Sequence, residues 1–360
     1  MSAEQAYLFV HALVRDAAYE LHLPTERGEL HRLAISAFES CLAEDALTPH
    51  ALELAGHAQL ARGESDDAEL LQAECRYLDT GYRYALSRDQ MPEAVAALER
   101  LTGLLPERSG ARREALYELA IHATVFDRER GLRLLDECER LSEDDVYRGK
   151  VLRGRAMIRF MLKEREPGQR ILEQAVALHE SAGDPVQLAL TRNALARILL
   201  EEGKIAEAET MLRGVLPVAE SIDDKRYLGG AQNTLGMAAS RTGRFAEAKQ
   251  WFSRALETYE GVGLTRYLVA SLQGLGRALN ELGELEAAAD TMARCVDVCH
   301  RSGLPEAECT ISVSLGKVQI KLGRHAEAAA SLRRAVRLGR ERGLPEWVEK
   351  AQQALAGLPA

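Results

Sequence analysis

The chain has 360 residues, of which 46% are hydrophobic, 5% aromatic and 28% charged, and its formal net charge at pH 7 is −9. This acidic balance argues against direct binding of nucleic acid over a large surface. No apolar run reaches the length of a membrane span, and the N-terminus lacks the basic and then apolar pattern of a signal peptide, so the sequence predicts a cytoplasmic protein without membrane contact.

The first predicted element, residues 1–45, is a helical segment whose pattern differs from the rest of the chain. It contains the stretch Phe-Val-His-Ala-Leu-Val-Arg-Asp, which begins at Phe9. This stretch resembles the tail of the winged-helix domain in signal-transduction ATPases with numerous domains, of the maltose-regulator type. In that family the matching histidine can face the bound nucleotide, so the resemblance implies a nucleotide-binding role for His11 in a full-length ATPase parent. The alternative is an ordinary packed or surface histidine.

The sequence lacks the loop with which such ATPases bind phosphate. That loop needs Gly-x-x-x-x-Gly-Lys-Ser/Thr, because backbone amides bind the phosphates while the hydroxyl binds Mg²⁺. The three Gly-Lys pairs, at Gly149, Gly203 and Gly316, are followed by Val, Ile and Val. We therefore expect no nucleotide or other cofactor on this chain alone, which is either a fragment of a larger ATPase or a detached sensor part.

The remainder of the chain is predicted to be an array of repeats. Four segments of related sequence begin at intervals of forty residues, at Gly203, Gly243, Gly283 and Gly323. A fixed period without insertions is typical of a solenoid, in which each unit buries its apolar face against its neighbours. We expect irregular repeats over residues 46–145, regular repeats over residues 146–343, and a capping helix over residues 344–360.

Each regular repeat is predicted to be a pair of amphipathic helices, A and B. In one unit, Asp184 and Pro185 provide an N-cap acceptor and a preset first turn, and Gly203 ends helix A. A small residue in helix A, such as Gly236, and an alanine twelve positions later, such as Ala248, are predicted to lie where the two helices cross. These positions resemble the tetratricopeptide repeat, which implies an all-α, right-handed superhelical solenoid of helix pairs.

One stripe along the A helices is predicted to face the concave groove of this solenoid. The stripe comprises Arg153, Met157 and Met161; Asn193, Arg197 and Glu201; Asn233, Met237 and Arg241; Gln273, Arg277 and Glu281; and Val313, Lys317 and Lys321. Six of these residues are basic and two are acidic, although the chain as a whole is acidic. The carboxamides of Asn193, Asn233 and Gln273 can both donate and accept, as bonding to the backbone of an extended peptide requires. Arrays similar to kinesin light chain use asparagines on helix A in this way; the alternative is a merely solvated face.

No group of residues in the sequence predicts catalysis. Cys295, Cys299 and His300 have a spacing that a soft metal ion could use, but Cys295 falls on the core alanine position, so a buried apolar role is favoured and no metal is predicted. The six cysteines show no paired framework, which favours reduced thiols. The acidic pairs at helix starts are predicted to be N-caps.

Two functions remain open at this point. The first is a non-enzymatic interaction module, the sensor or scaffold part of a bacterial signalling ATPase or regulator, that binds a protein or peptide, such as an extended acidic segment, in the groove. The second is a transcriptional or signalling regulator gated by a small ligand. The sequence leaves a homo-oligomer open and does not decide whether the groove or the convex face binds.

Overall fold

The computed structural model describes residues 21–63, 65–88, 90–221, 225–260 and 264–358. His11 and the winged-helix-like stretch around it lie outside these residues. The described residues form α-helices, a short 3-10 turn at Thr48–His50 and no β-strand. The chain divides into two compact units, Met1–Leu141 and Ser142–Ala360.

The described part of the first unit consists of helices that pack mainly against the next helix in the chain. They are α1 (Pro24–Cys41), α2 (Glu44–Leu47), α3 (Ala51–Arg62), α4 (Ala68–Ser87), α5 (Met91–Leu104), α6 (Gly110–Ala123) and α7 (Arg128–Arg140). Helices α4, α6 and α7 begin after Asp67, Ser109 and Asp127, whose side chains accept from backbone N–H groups of the first turn. These caps satisfy amides that the helix itself leaves unbonded.

The second unit consists of alternating A and B helices. The A helices are α8 (Asp145–Met161), α10 (Pro185–Glu201), α12 (Lys225–Arg241), α14 (Thr265–Glu281), α16 (Pro305–Lys321) and α18 (Pro345–Ala356). The B helices are α9 (Arg165–Ala182), α11 (Ile205–Ser221), α13 (Phe245–Tyr259), α15 (Leu285–Arg301) and α17 (His325–Glu341). Each B helix packs against the A helix before it and the A helix after it. The predicted all-helical array of helix pairs is therefore confirmed for the described residues.

The repeat boundaries follow from local chemistry. Asp184 accepts from the backbone N–H of Gln187 at 2.9 Å and caps α10, as predicted. Gly203 then adopts a φ of +81°, in the left-handed region where a side chain is strained, and Lys204 N–H donates to the Leu199 carbonyl at 2.9 Å. Glycines occupy the same left-handed turn in the next three repeats, at residues 243, 283 and 323. The forty-residue period of glycines therefore marks the turns between A and B helices.

Small residues of the A helices permit the close crossing of the helix pairs. A Cβ added to Gly236 would lie 2.8 Å from the ring of Phe252, and one added to Gly276 would lie 2.8 Å from Met292. Ala248 is fully buried in the same layer. The predicted small positions therefore lie at the crossing, and the side chain sixteen residues later fills the space that each leaves.

Helix α18 is the last helix that the structure describes. Helix α18 buries Ala351 and packs Trp347 and Leu355 against a cluster that includes Leu332 and Val313. The apolar face of α18 thus packs on the core, and its role as a capping helix stays a prediction. None of the helices in the described part of the chain combines the length and apolar character needed to cross a bilayer.

Candidate binding face of the A helices

The A helices of successive repeats also contact one another directly, as α8 does α10, α10 does α12, and α12 does α14. One edge of each A helix is thereby placed next to the corresponding edge of its neighbour. We call this surface of the second unit the A-helix face. The side chains predicted to line the groove lie on or just beneath it.

The structure places Arg153, the first of these side chains, in the interior. Arg153 is only 8% exposed, and its guanidinium donates to Oε1 of Gln187 at 2.8 Å and to Oγ1 of Thr191 at 3.3 Å. Both acceptors belong to α10, so Arg153 joins two A helices. Val313 is also buried, at 1% exposure, in the core beneath α18. These two residues contribute to packing at the positions where the pattern indicated a ligand-binding surface.

The three carboxamides have different surroundings. Asn233 accepts a hydrogen bond from Ser271 Oγ at 3.1 Å, and its Nδ2 lies 3.8 Å from Met237 Sδ, so it links α12 to α14. Asn193 is half-buried, and its Oδ1 is buried without a hydrogen-bond partner among the described residues. Gln273 is exposed. The three carboxamides therefore occupy equivalent positions in their repeats, but they differ in solvent exposure and in whether a neighbouring side chain already bonds to them.

Apart from Arg153, the cations of the face are exposed and have no anionic partner among the described residues. Arg197, Arg277 and Lys317 form no ion pair with any described residue. Arg241 donates to the backbone carbonyl of Leu200, and Lys321 Nζ lies 2.8 Å from Oδ1 of Asn280, which are neutral acceptors. The exposed cations of the face therefore outnumber its carboxylates, and none of them forms an ion pair with a described residue.

Cations on the B-helix side, in contrast, form ion pairs with carboxylates. Lys249 pairs with Glu284 at 2.6 Å and Arg324 with Glu286 at 2.6 Å. The contrast shows that the chain has enough carboxylates to neutralise its surface cations. The two carboxylates of the stripe on the A-helix face have other partners, since Glu201 lies 3.6 Å from Arg165 and Glu281 accepts from Asn280.

A recess opens on the face between α12 and α14, with a volume of about 340 Å³. It brings together Met237, Arg241 and Arg277, which the sequence predicted to face the groove, with Glu281 of the same stripe. It also includes side chains that the sequence reasoning missed: Ser240, Phe245 and Ala278. The forty-residue register held a signal for Phe245, since it begins helix B and is equivalent to Ile205 and Leu285.

Near Asn193, a tyrosine lies under the face. Tyr259 is 2% exposed, and its ring packs against Gly229 of α12. Burial raises the pKa of Tyr259, so its hydroxyl stays protonated at neutral pH. A permanently protonated phenol contributes no negative charge to offset Arg197, which is close enough to interact with it electrostatically.

The cysteines contribute no reactive group to the face. All six are free, and Cys295 and Cys299 are fully buried. A hydrogen bond with Cys299, together with burial, raises the pKa of Cys295 far above its ordinary value, so its thiol stays protonated and is a poor nucleophile or ligand. Among the described residues, no group of three or more histidine, cysteine and carboxylate side chains is arranged to hold a metal ion.

Models of the tetratricopeptide repeat match residues 188–222, 227–301 and 311–340. No curated protein sequence matches the chain significantly. The solved structures of similar fold include a Rap protein complexed with competence and sporulation factor, with 13% identity over 91% of this chain and 97% of that one and a TM-score of 0.55.

Two longer proteins also share the fold. One is a signal transduction ATPase with numerous domains that carries a tetratricopeptide repeat sensor, from Pyrococcus horikoshii, with 14% identity over 82% of this chain and a TM-score of 0.53. The other is yeast Tom70, with 14% identity over 87% of this chain and a TM-score of 0.55. The chain spans 53% of the ATPase and 61% of Tom70. At these identities the likeness shows the fold alone, and the matched segments of the second unit are tetratricopeptide repeats.

Proposed function

We propose that the chain is a protein- or peptide-binding interaction module and that the A-helix face of its second unit binds an extended, acidic segment. The observation that carries the proposal is the set of exposed cations on this face that have no anionic partner in the part of the chain that the structure describes. Arg197, Arg277 and Lys317 occupy equivalent positions of the forty-residue repeat, two repeats and then one repeat apart, on three different A helices. A ligand carboxylate would supply the missing counter-charge, and each exposed pair would stabilise the complex by roughly 0.2–1 kcal/mol.

The geometry of the stack favours an extended ligand. Helices in contact lie roughly 8–10 Å apart, so a segment that crosses four A helices spans three intervals, about 24–30 Å. About seven to nine residues of extended chain cover that distance, and a peptide of about twelve residues is long enough. A compact ligand could contact only one or two of the cations at a time.

The test uses a fluorescein-labelled peptide of about twelve alternating glutamate and glycine residues, and the matching lysine and glycine peptide. Fluorescence anisotropy should show binding of the acidic peptide only, with an affinity that falls between about 50 mM and about 500 mM salt because exposed charges are screened. Arg277→Glu and Lys317→Glu should each weaken binding by about three- to tenfold. Neither side chain bonds to a described residue, so neither change should disturb the fold.

A charge reversal on a B helix provides the control. Arg213 lies on α11, is 70% exposed and is 3.9 Å from Glu209, so Arg213→Glu changes the net charge equally without altering the A-helix face. Its effect on affinity should be much smaller than that of Arg277→Glu. Equal effects of the two reversals, or equal binding of the acidic and basic peptides, would contradict the proposal.

We propose further that the module is the sensor or scaffold part of a bacterial signalling ATPase or regulator in the cytoplasm. The support is the fold shared with the sensor-bearing ATPase and the N-terminal resemblance carried by the stretch around His11. Sequencing the surrounding coding region tests this role. We expect a nucleotide-binding module to be fused to the chain or encoded beside it. The absence of such a module from both places would contradict this role.

A further inference from the structure

The recess between α12 and α14 differs from the corresponding places in the neighbouring repeats. Residues 241, 281 and 321 are equivalent by the forty-residue period. Arg241 crosses to the preceding repeat and donates to the carbonyl of Leu200, and Lys321 crosses in the same way to Oδ1 of Asn280. Each long cation therefore covers the surface of the A helix before it.

Glu281 breaks this pattern. A carboxylate only accepts hydrogen bonds, so it cannot bond a backbone carbonyl of the preceding repeat. It instead accepts from Nδ2 of its chain neighbour Asn280 at 3.1 Å. The residue that it would have covered, Ser240, is small, and the recess of about 340 Å³ is left open above it. Residue 201 is also a glutamate, so the recess reflects the combination of Glu281 with the small Ser240.

The recess joins apolar and cationic surfaces. Met237, Phe245 and Ala278 contribute apolar atoms to its lining, Arg241 and Arg277 contribute two positive charges, and Glu281 contributes one carboxylate, so the lining is net positive. Its volume is at the low end of the roughly 300–1,000 Å³ found for ligand pockets, which suits one large side chain better than a cofactor. The matching occupant is an apolar side chain with a carboxylate beside it.

We infer that this recess is the anchor point of the bound segment: it takes a leucine-sized apolar side chain whose neighbouring acidic residue pairs with Arg277. The inference rests on the proposed function and adds a specificity that charge alone does not give. Burying the apolar side chain fixes the register of the segment along the face. The uncovered cations on either side then pair with the flanking carboxylates.

Two probes that differ at one position test the anchor. Both are the labelled glutamate and glycine peptide, in which one central glycine is replaced by leucine or by alanine. The wild-type protein should bind the leucine probe about tenfold more tightly, because the larger side chain buries more apolar surface in the recess. The difference should persist at high salt, since burial of apolar surface is not screened as exposed charges are.

Glu281→Arg separates the anchor from electrostatics. The new side chain restores the long cation found at residues 241 and 321, so it should cover the recess while adding positive charge to the face. If charge alone bound the segment, both probes would bind more tightly. With the anchor, the preference for leucine should fall to less than about twofold, although the alanine probe gains affinity. Glu201→Arg, at the equivalent position two repeats earlier, adds the same charge and should retain the preference. Circular dichroism confirms that both variants fold.

Each result decides between the two claims. Equal affinity of the wild-type protein for both probes overturns the anchor and leaves the proposed function standing. A leucine preference that survives Glu281→Arg also overturns it, because the side chain would then bind elsewhere. Failure of the wild-type protein to bind either probe overturns the proposed function and the anchor with it.

Discussion

Glu74 is a fully buried carboxylate on α4 that lies between two arginines. Its Oε2 accepts from Arg62 at 3.1 Å, and its Oε1 accepts from Arg100 at 2.7 Å. Arg100 also donates to the carbonyl of Ala55 at 2.7 Å, so the group joins α3, α4 and α5. A buried charge is tolerated only when partners of opposite charge and hydrogen bonds replace its lost hydration.

Glu74→Ala should therefore lower the free energy of unfolding by about 3–5 kcal/mol, because two arginines lose their buried partner. Urea denaturation followed by circular dichroism measures this change. Asp79→Ala on the same helix is the matched control, since Asp79 is 48% exposed and forms an i,i+4 pair with Arg83. That change should cost less than about 0.5 kcal/mol, and similar losses in both variants would show that the buried group contributes little.

His179 is a buried histidine on α9 that packs against Gly149 and is fully shielded from solvent. Burial, and then the charge of Arg153, hold the pKa of His179 below its ordinary value of 6.5. As the pH falls, the unfolded chain takes up this proton before the folded chain does. The stabilising contribution of the neutral histidine is therefore complete above about pH 6.5 and decreases below it, toward the lowered pKa of the folded state.

His179→Phe should reduce the pH dependence of the melting temperature between about pH 7.5 and pH 5.5. The free energy of unfolding of the wild type should lose at most about 1.4 kcal/mol per pH unit through this one proton. His325→Gln, which changes an exposed histidine of the same unit, should leave the pH dependence unchanged. A slope in His179→Phe as steep as in the wild type would assign the effect to other groups.

At the scale of elements, a glycine on an A helix makes room for a large side chain on the paired B helix. Gly149 on α8 faces His179 on α9, and a Cβ there would lie 2.5 Å from the imidazole. Gly229 occupies the equivalent position two repeats later, and a Cβ there would lie 2.5 Å from the ring of Tyr259. Large side chains on B helices are thus accommodated by glycines on A helices, even though glycine weakens a helix.

Gly229→Ala should destabilise the second unit by about 1–3 kcal/mol, because the added methyl group would overlap with the Tyr259 ring. Gly214→Ala on α11 is the control, since a Cβ there meets nothing within 4 Å, and it should stabilise the helix by up to about 1 kcal/mol. Thermal unfolding of the single and double variants measures the coupling. In a Tyr259→Ala background the loss from Gly229→Ala should largely disappear, and additive losses would contradict the fit between these two positions.

At the scale of the whole molecule, the repeat array of the second unit is held by contacts between neighbouring helices. The stability of such an array is approximately a sum over repeats and their interfaces, so damage at one end should remain local. Ala351 on α18 is fully buried against the cluster that includes Leu332 and Leu338. Gln353, two residues later, is exposed.

Ala351→Glu should place an unpaired charge in this cluster and open the last repeat. Hydrogen exchange should show protection lost in α16, α17 and α18 and retained in α8 and α10. Gln353→Glu adds the same charge on the exposed side of α18 and should leave protection unchanged. Loss of protection throughout residues 145–356 in Ala351→Glu would show that the unit unfolds as one cooperative body.

The sequence by itself determined the repeat and its turns. The forty-residue period placed the turn glycines and the buried Ala248 correctly, and the Asp-Pro pair placed the capping Asp184, because a turn, a helix crossing and an N-cap each constrain the residue type at one position. The same register placed Arg197, Arg277 and Lys317 on an exposed face.

Only the tertiary structure decided which side chains of that face are available to a ligand. Arg153 occupies the register of Asn193, one turn before that of Arg197, and is buried, because Gln187 and Thr191 of the next repeat accept from it. The recess between α12 and α14 is open because Glu281 cannot make the bond to the preceding repeat that Arg241 makes. Whether a side chain of the face is available to a ligand depends on contacts between residues about forty positions apart. A periodic pattern predicts which positions are equivalent, but it does not predict whether their side chains contact one another.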